Sequence, residues 1–66
     1  MKVKDLTKKM FDGGTKPRVK VLKYTGDANL LVYEGKPGNI DKETGELKVN
    51  SFQIMGAGLI QIYAEA

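Results

Sequence analysis

The sequence predicts a mainly β domain of the α+β class: a short N-terminal helix, then a four- to five-stranded antiparallel meander able to curl into a small barrel. Three observations carry this expectation. Apolar residues near the N-terminus recur at helical spacing and stop at Gly13-Gly14. From Arg18 onward, β-branched and aromatic runs alternate with turn residues at roughly the 8–12-residue spacing of small sheets and barrels. Between Leu47 and Ala64, two such runs are split by Gly56-Ala57-Gly58, a hairpin signal because glycine supplies the positive φ of a tight turn.

Val3, Leu6, Met10 and Phe11 share one side of the expected helix, with Lys4, Asp5, Lys8, Lys9 and Asp12 opposite. A helix this short is unstable alone in water, so it must lie on the sheet. Lys8 and Lys9 fall in its last turn, where the helix dipole favours cations.

Arg18–Tyr24 reads as the first strand, entered through Pro17. Its alternation slips: Val19 and Val21 share a face, while Leu22 and Tyr24 join Arg18 and Lys20 on the other. A bulge near Leu22, or a strand covered on both faces, accounts for the slip. Thr25–Asn29 is turn chemistry. Leu30–Glu34 is apolar on both faces, as suits a central strand, and Gly35–Asn39 breaks it. Lys42-Glu43-Thr44-Gly45 reads as a hairpin loop pairing Ile40 near Leu47, closed by a left-handed glycine. The last hairpin follows, with a bulge expected at Ser51, where the pattern shifts between Val49 and Phe52.

The 66 residues, 1–66, make a single domain. A chain this small buries only about 60% of its unfolded surface, so a staple is expected. Cysteine and histidine are both absent, which excludes disulfides and disfavours the usual zinc and haem sites. No metal and no cofactor is expected, and self-association is the staple left. Met1–Asp5 starts no signal peptide and no run approaches a membrane span, so a cytoplasmic protein without a membrane partner is expected. Charge is uneven: residues 1–24 are net +6 and residues 25–66 net −3.

Catalysis is not expected, since histidine and cysteine are missing and the lone Ser51 has no base beside it in sequence. Gly13-Gly14-Thr15-Lys16 lacks the spacing of a phosphate loop and reads as a helix stop. Asp41-x-Glu43-x-Gly45-Glu46 is too short for a calcium loop and reads as a solvated turn. Single-stranded nucleic-acid binding by a small β-barrel is a real alternative, with Lys16, Arg18, Lys20, Lys23 and Tyr24 as its surface. Against it stand five aromatics in all, no tryptophan, and an acidic second half.

The Lys2–Leu6 helix start, Val19-Lys20-Val21, Val32-Tyr33-Glu34-Gly35, Asn39-Ile40-Asp41 and Leu59–Tyr63 together resemble small uncharacterised proteins of phages and prophages of Gram-positive bacteria. The resemblance implies a context: such proteins bind host or defence proteins, or sequester small signalling nucleotides. It brings no catalytic motif.

The expected function is a small non-enzymatic protein-binding module, a phage accessory protein in the host cytoplasm that also self-associates. Its partner is another protein or a second copy, met by Leu59, Gln61 and Tyr63 of an apolar last edge strand, with Tyr33 as a second patch. The alternatives are single-stranded nucleic-acid binding and small-nucleotide binding by an oligomer.

Overall fold

A computed structural model describes residues 1–9, 18–56 and 58–66; the Gly13-Gly14 helix stop, Pro17 and Lys16 lie outside them. Helix α1 spans Val3–Lys9. The carboxylate of Asp5 accepts from the Lys2 amide at 3.1 Å, half of a capping box that satisfies one of the helix's orphan donors. Val3 and Thr7 are buried and Leu6 half-buried, so one stripe of the helix faces inward as its spacing requires.

Four strands follow: β1 (Arg18–Tyr24), β2 (Asn29–Gly35), β3 (Lys48–Gly56) and β4 (Leu59–Glu65). They form one sheet in the order β2-β1-β4-β3. β1–β2 and β3–β4 are antiparallel hairpins, and β1 pairs with β4 in parallel. Gly26, at φ +100°, turns the first hairpin, where the Thr25 amide donates to the Ala28 carbonyl at 3.0 Å. Gly56 and Gly58, at φ +85° and +77°, turn the second.

The expected antiparallel meander is corrected here to two hairpins joined by a parallel seam. The sheet also stays open, with β2 and β3 as its two edges, instead of closing into the expected small barrel. Residues that pair across strands share a face, so Val19 and Val21 line up with Ile60 and Ile62 beneath α1. Val3, Val19, Val21 and Ile62 are fully buried and, with Leu47 and Ala64, form the core. Burying one such branched side chain contributes roughly 1.5–3 kcal/mol.

Two strand placements also differ from expectation. β4 was expected as the last edge, yet it lies in the middle, and its two-sided apolarity suits a strand paired on both sides. β2 was expected to be central, yet it is an edge. Its apolar character on both faces comes from a bulge: Val21 pairs with Tyr33 and Leu22 with Leu31, leaving Val32 extra. Val32 and Tyr33 both pack on the core and Leu31 is left on the other face. The irregularity expected near Leu22 is therefore present, with the added residue on the neighbouring strand. The shift expected at Ser51 is present too, with Asn50 as the extra residue.

The expected pairing of Ile40 with Leu47 is not formed. A 3-10 turn at Pro37–Asn39 leads instead to a one-turn helix α2, Lys42–Gly45. Asp41 caps it, its carboxylate accepting from the Thr44 amide at 3.1 Å. A type I turn and a helical first turn use the same backbone region, so their residues look alike. Packing decides, because Thr44 and Gly45 are buried against α1. A Cβ on Gly45 would meet the Lys4 Cβ at 3.3 Å, so glycine lets the two helices approach.

Candidate binding surface

Helices α1 and α2 pack on part of one face of the sheet, leaving Leu30, Phe52 and Ile54 of that face exposed; among the described residues nothing covers the other face. Alternation along β1 sends Arg18, Lys20, Leu22 and Tyr24 to this open face. The parallel register places Leu59 beside Arg18, Gln61 beside Lys20 and Tyr63 beside Leu22. From β2 come Glu34 opposite Lys20 and Leu31 opposite Leu22; from β3 come Ser51 opposite Tyr63 and Gln53 opposite Gln61.

Two rows result. Leu31, Leu22 and Tyr63 run across three adjacent strands as an apolar row ending at Ser51. Beside it runs a polar row, Glu34, Lys20, Gln61 and Gln53. Lys20 Nζ lies 3.8 Å from Glu34 Oε2, a cross-strand ion pair of modest worth at this exposure. Gln61 Nε2 donates to Tyr63 Oη at 2.6 Å, which holds the phenol over its own strand. Tyr24 Oη donates to the Gly26 carbonyl at 2.9 Å, so that ring is tied to the turn.

The structure thus brings together Leu59, Gln61 and Tyr63 with Arg18, Lys20 and Tyr24, residues expected to serve two different partners. It separates Tyr33, which points to the core side and donates its hydroxyl to the Lys36 carbonyl. Lys23 pairs with Ala64 on the helix side and borders α2, away from Lys20. Lys16 lies outside the described residues. Leu22 and Leu31 were not among the expected site residues. Their signal was available: Leu22 shares its alternation with Arg18, Lys20 and Tyr24.

The helix side carries a second concavity, a cleft of about 350 Å³ between α1, α2 and the 3-10 turn. Lys4, Lys8 and Lys42 rim it, but Asp41 and Glu46 sit among them. Glu46 bonds Lys2 Nζ at 2.6 Å and Lys4 Nζ at 2.7 Å. The two ammonium groups hold its carboxyl down at about 2, and Glu46 in turn raises Lys4. Of the cleft's charges, Lys4 and Glu46 are therefore spent on one another. Among the described residues no cluster of carboxylates is placed to hold a metal ion, and no helix is long and apolar enough to cross a membrane.

No protein-family model matches the chain, and neither does any curated protein or solved structure.

Proposed function

We propose that this chain is a small non-enzymatic protein-binding module whose docking surface is the open face of its sheet. One observation carries the reading: the row Leu31, Leu22 and Tyr63 spans three strands on the face that, among the described residues, bears no helix. An apolar centre with a polar border is the usual anatomy of a protein interface, and tyrosine is favoured there. The absence of histidine and cysteine supports a role without catalysis. The resemblance to small phage proteins suggests a host or defence protein as the partner.

The test is affinity capture from bacterial lysate with the wild-type chain and with Leu22→Glu, Tyr63→Ala and Leu30→Lys variants. Leu30 pairs with Lys23 on the helix side and serves as the control. A partner retained by wild type and Leu30→Lys, and lost from the other two, supports the open face. A partner lost equally from all three, or from none, counts against it.

Nucleic-acid binding is a second reading, favoured by one specific observation. Arg18, Lys20 and Tyr24 stand on the same face as Tyr63, so cations and rings adjoin as base stacking requires. It predicts that a single-stranded oligonucleotide is retained at low salt, released as salt rises, and held less by Lys20→Glu. No retention at low salt removes it.

A further inference from the structure

We propose that the outer edge of β3 is a self-association site, where a second copy of this chain adds its own β3 antiparallel and extends the sheet. Phe52, Ile54 and Met55 of this strand are 54%, 71% and 48% exposed. Among the described residues that edge is occupied at one end alone. There Val49 donates to the Met1 carbonyl at 2.8 Å and Lys2 bridges to Lys48. From Asn50 to Gly56 no described strand pairs on the outer side.

Charge fits this edge to itself. A two-fold contact sets the strand against its own reverse, so charges of one sign along it are brought together across the axis. From Val49 to Ala64 the sequence carries no charged residue, so β3 meets β3 without that opposition. The register is self-complementary as well. Gln53 is the midpoint of Asn50–Gly56, and an axis there sets Phe52 opposite Ile54 of the partner subunit. Phe52 and Ile54 lie on one face, since they pair with Ile62 and Ile60. An aromatic ring against a β-branched side chain is a favourable cross-strand pair.

The two edges of the sheet are unequally guarded. β2 has a bulge at Val32 in mid-strand and carries Glu34, both of which discourage pairing with another chain. On β3 the bulges at Asn50 and Met55 leave the run Ser51–Ile54 regular between them. A 66-residue chain without disulfides gains most from such a staple.

Sedimentation velocity from micromolar to millimolar concentration tests the proposal. The wild-type mass rises from 7.3 kDa toward twice that value, while Ile54→Lys keeps its circular dichroism spectrum and stays a monomer. A second arm does not depend on how Ile54→Lys folds. The chain has no cysteine, so Gln53→Cys introduces a single thiol. Opposed residues on paired strands stand within disulfide range, so oxidation links Gln53→Cys at least about tenfold faster than Leu30→Cys on the β2 edge. A wild-type monomer at millimolar concentration overturns the proposal. So do equal cross-linking rates, or an edge that accepts only a foreign extended peptide.

Discussion

Val21 and Ile62 lie opposite each other in the parallel ladder between β1 and β4, and neither exposes any surface. Through this pair two local hairpins become one sheet. Each hairpin buries little by itself, and two-stranded hairpins are marginal in water. Joined side by side, they present a four-strand face on which Val3, Leu6 and Leu47 close the core. Among the described residues nothing covers the other face, where the row Leu31, Leu22 and Tyr63 lies.

Ile62→Ala is expected to cost about 2–5 kcal/mol, because it removes a fully buried branched side chain from the seam. A domain of 66 residues has a total stability of about 3–10 kcal/mol, so this variant should lose a large share of its margin and unfold at a much lower urea concentration. Ile62→Val should stay folded, at a cost of about 1 kcal/mol. Urea titration followed by circular dichroism checks both. Equal midpoints for the two variants would mean that the seam is not the core.

The hairpins were legible in the sequence because their signals are local. Gly26, Gly56 and Gly58 mark turns whose backbone favours glycine, and Val19 and Val21 alternate with polar neighbours. The order of the hairpins was not legible, since β1 and β4 meet across more than forty positions without a connecting turn. Two-sided apolarity was ambiguous for a physical reason: a central strand, an exposed edge and a bulged strand all produce it. β4 proved to be the first and β2 the third. At Lys42–Gly45 the residues fit a turn and a helix alike, and contact with α1 decides. The open face was half legible. The strand carrying Leu59, Gln61 and Tyr63 was singled out, but Leu22 and Leu31 join it only through the sheet order.

Gly35 and Tyr33 should be energetically coupled. Gly35 sits at φ +149°, and a Cβ there would lie 3.2 Å from Tyr33 Oη. Gly35→Ala is expected to cost about 1–3 kcal/mol from backbone strain, with the crowding added. Tyr33→Phe loses the hydroxyl's bond to the Lys36 carbonyl, at a cost of about 0.5–1.5 kcal/mol. In the Tyr33→Phe background the hydroxyl is gone, so Gly35→Ala should cost less than in wild type. A double-mutant cycle by thermal denaturation measures the difference, and strict additivity would contradict the contact.

Stability should fall in acid through Glu46. Its carboxyl is lowered from the ordinary 4.5 to about 2 by hydrogen bonds from Lys2 and Lys4. The folded chain thus favours the ionised form, and protonation favours unfolding. This contribution is complete above pH 4.5 and is lost as pH falls toward about 2. Asp41, lowered by its bonds from Thr44, acts in the same direction. The thermal midpoint of wild type should decline through that window, and Glu46→Gln should decline less. Added salt should narrow the gap, because the groups are exposed. Parallel curves for the two proteins at low salt would remove Glu46 as the cause.

Binding and stability should separate on the open face. Leu31 is 49% exposed and Leu30 is 58% exposed, on opposite faces of the same strand. Replacing either with lysine removes little buried surface, so each should change stability by no more than about 0.5 kcal/mol. Leu31→Lys places a charge at the end of the row it forms with Leu22 and Tyr63. A partner seated there would have to bury that ammonium without a matching charge. Leu30→Lys puts the same charge beside Lys23, outside the row. Urea midpoints should therefore match for the two variants, while the captured partner is lost only from Leu31→Lys. Loss from both, at equal stability, would place the site on the strand's edge instead of on its open face.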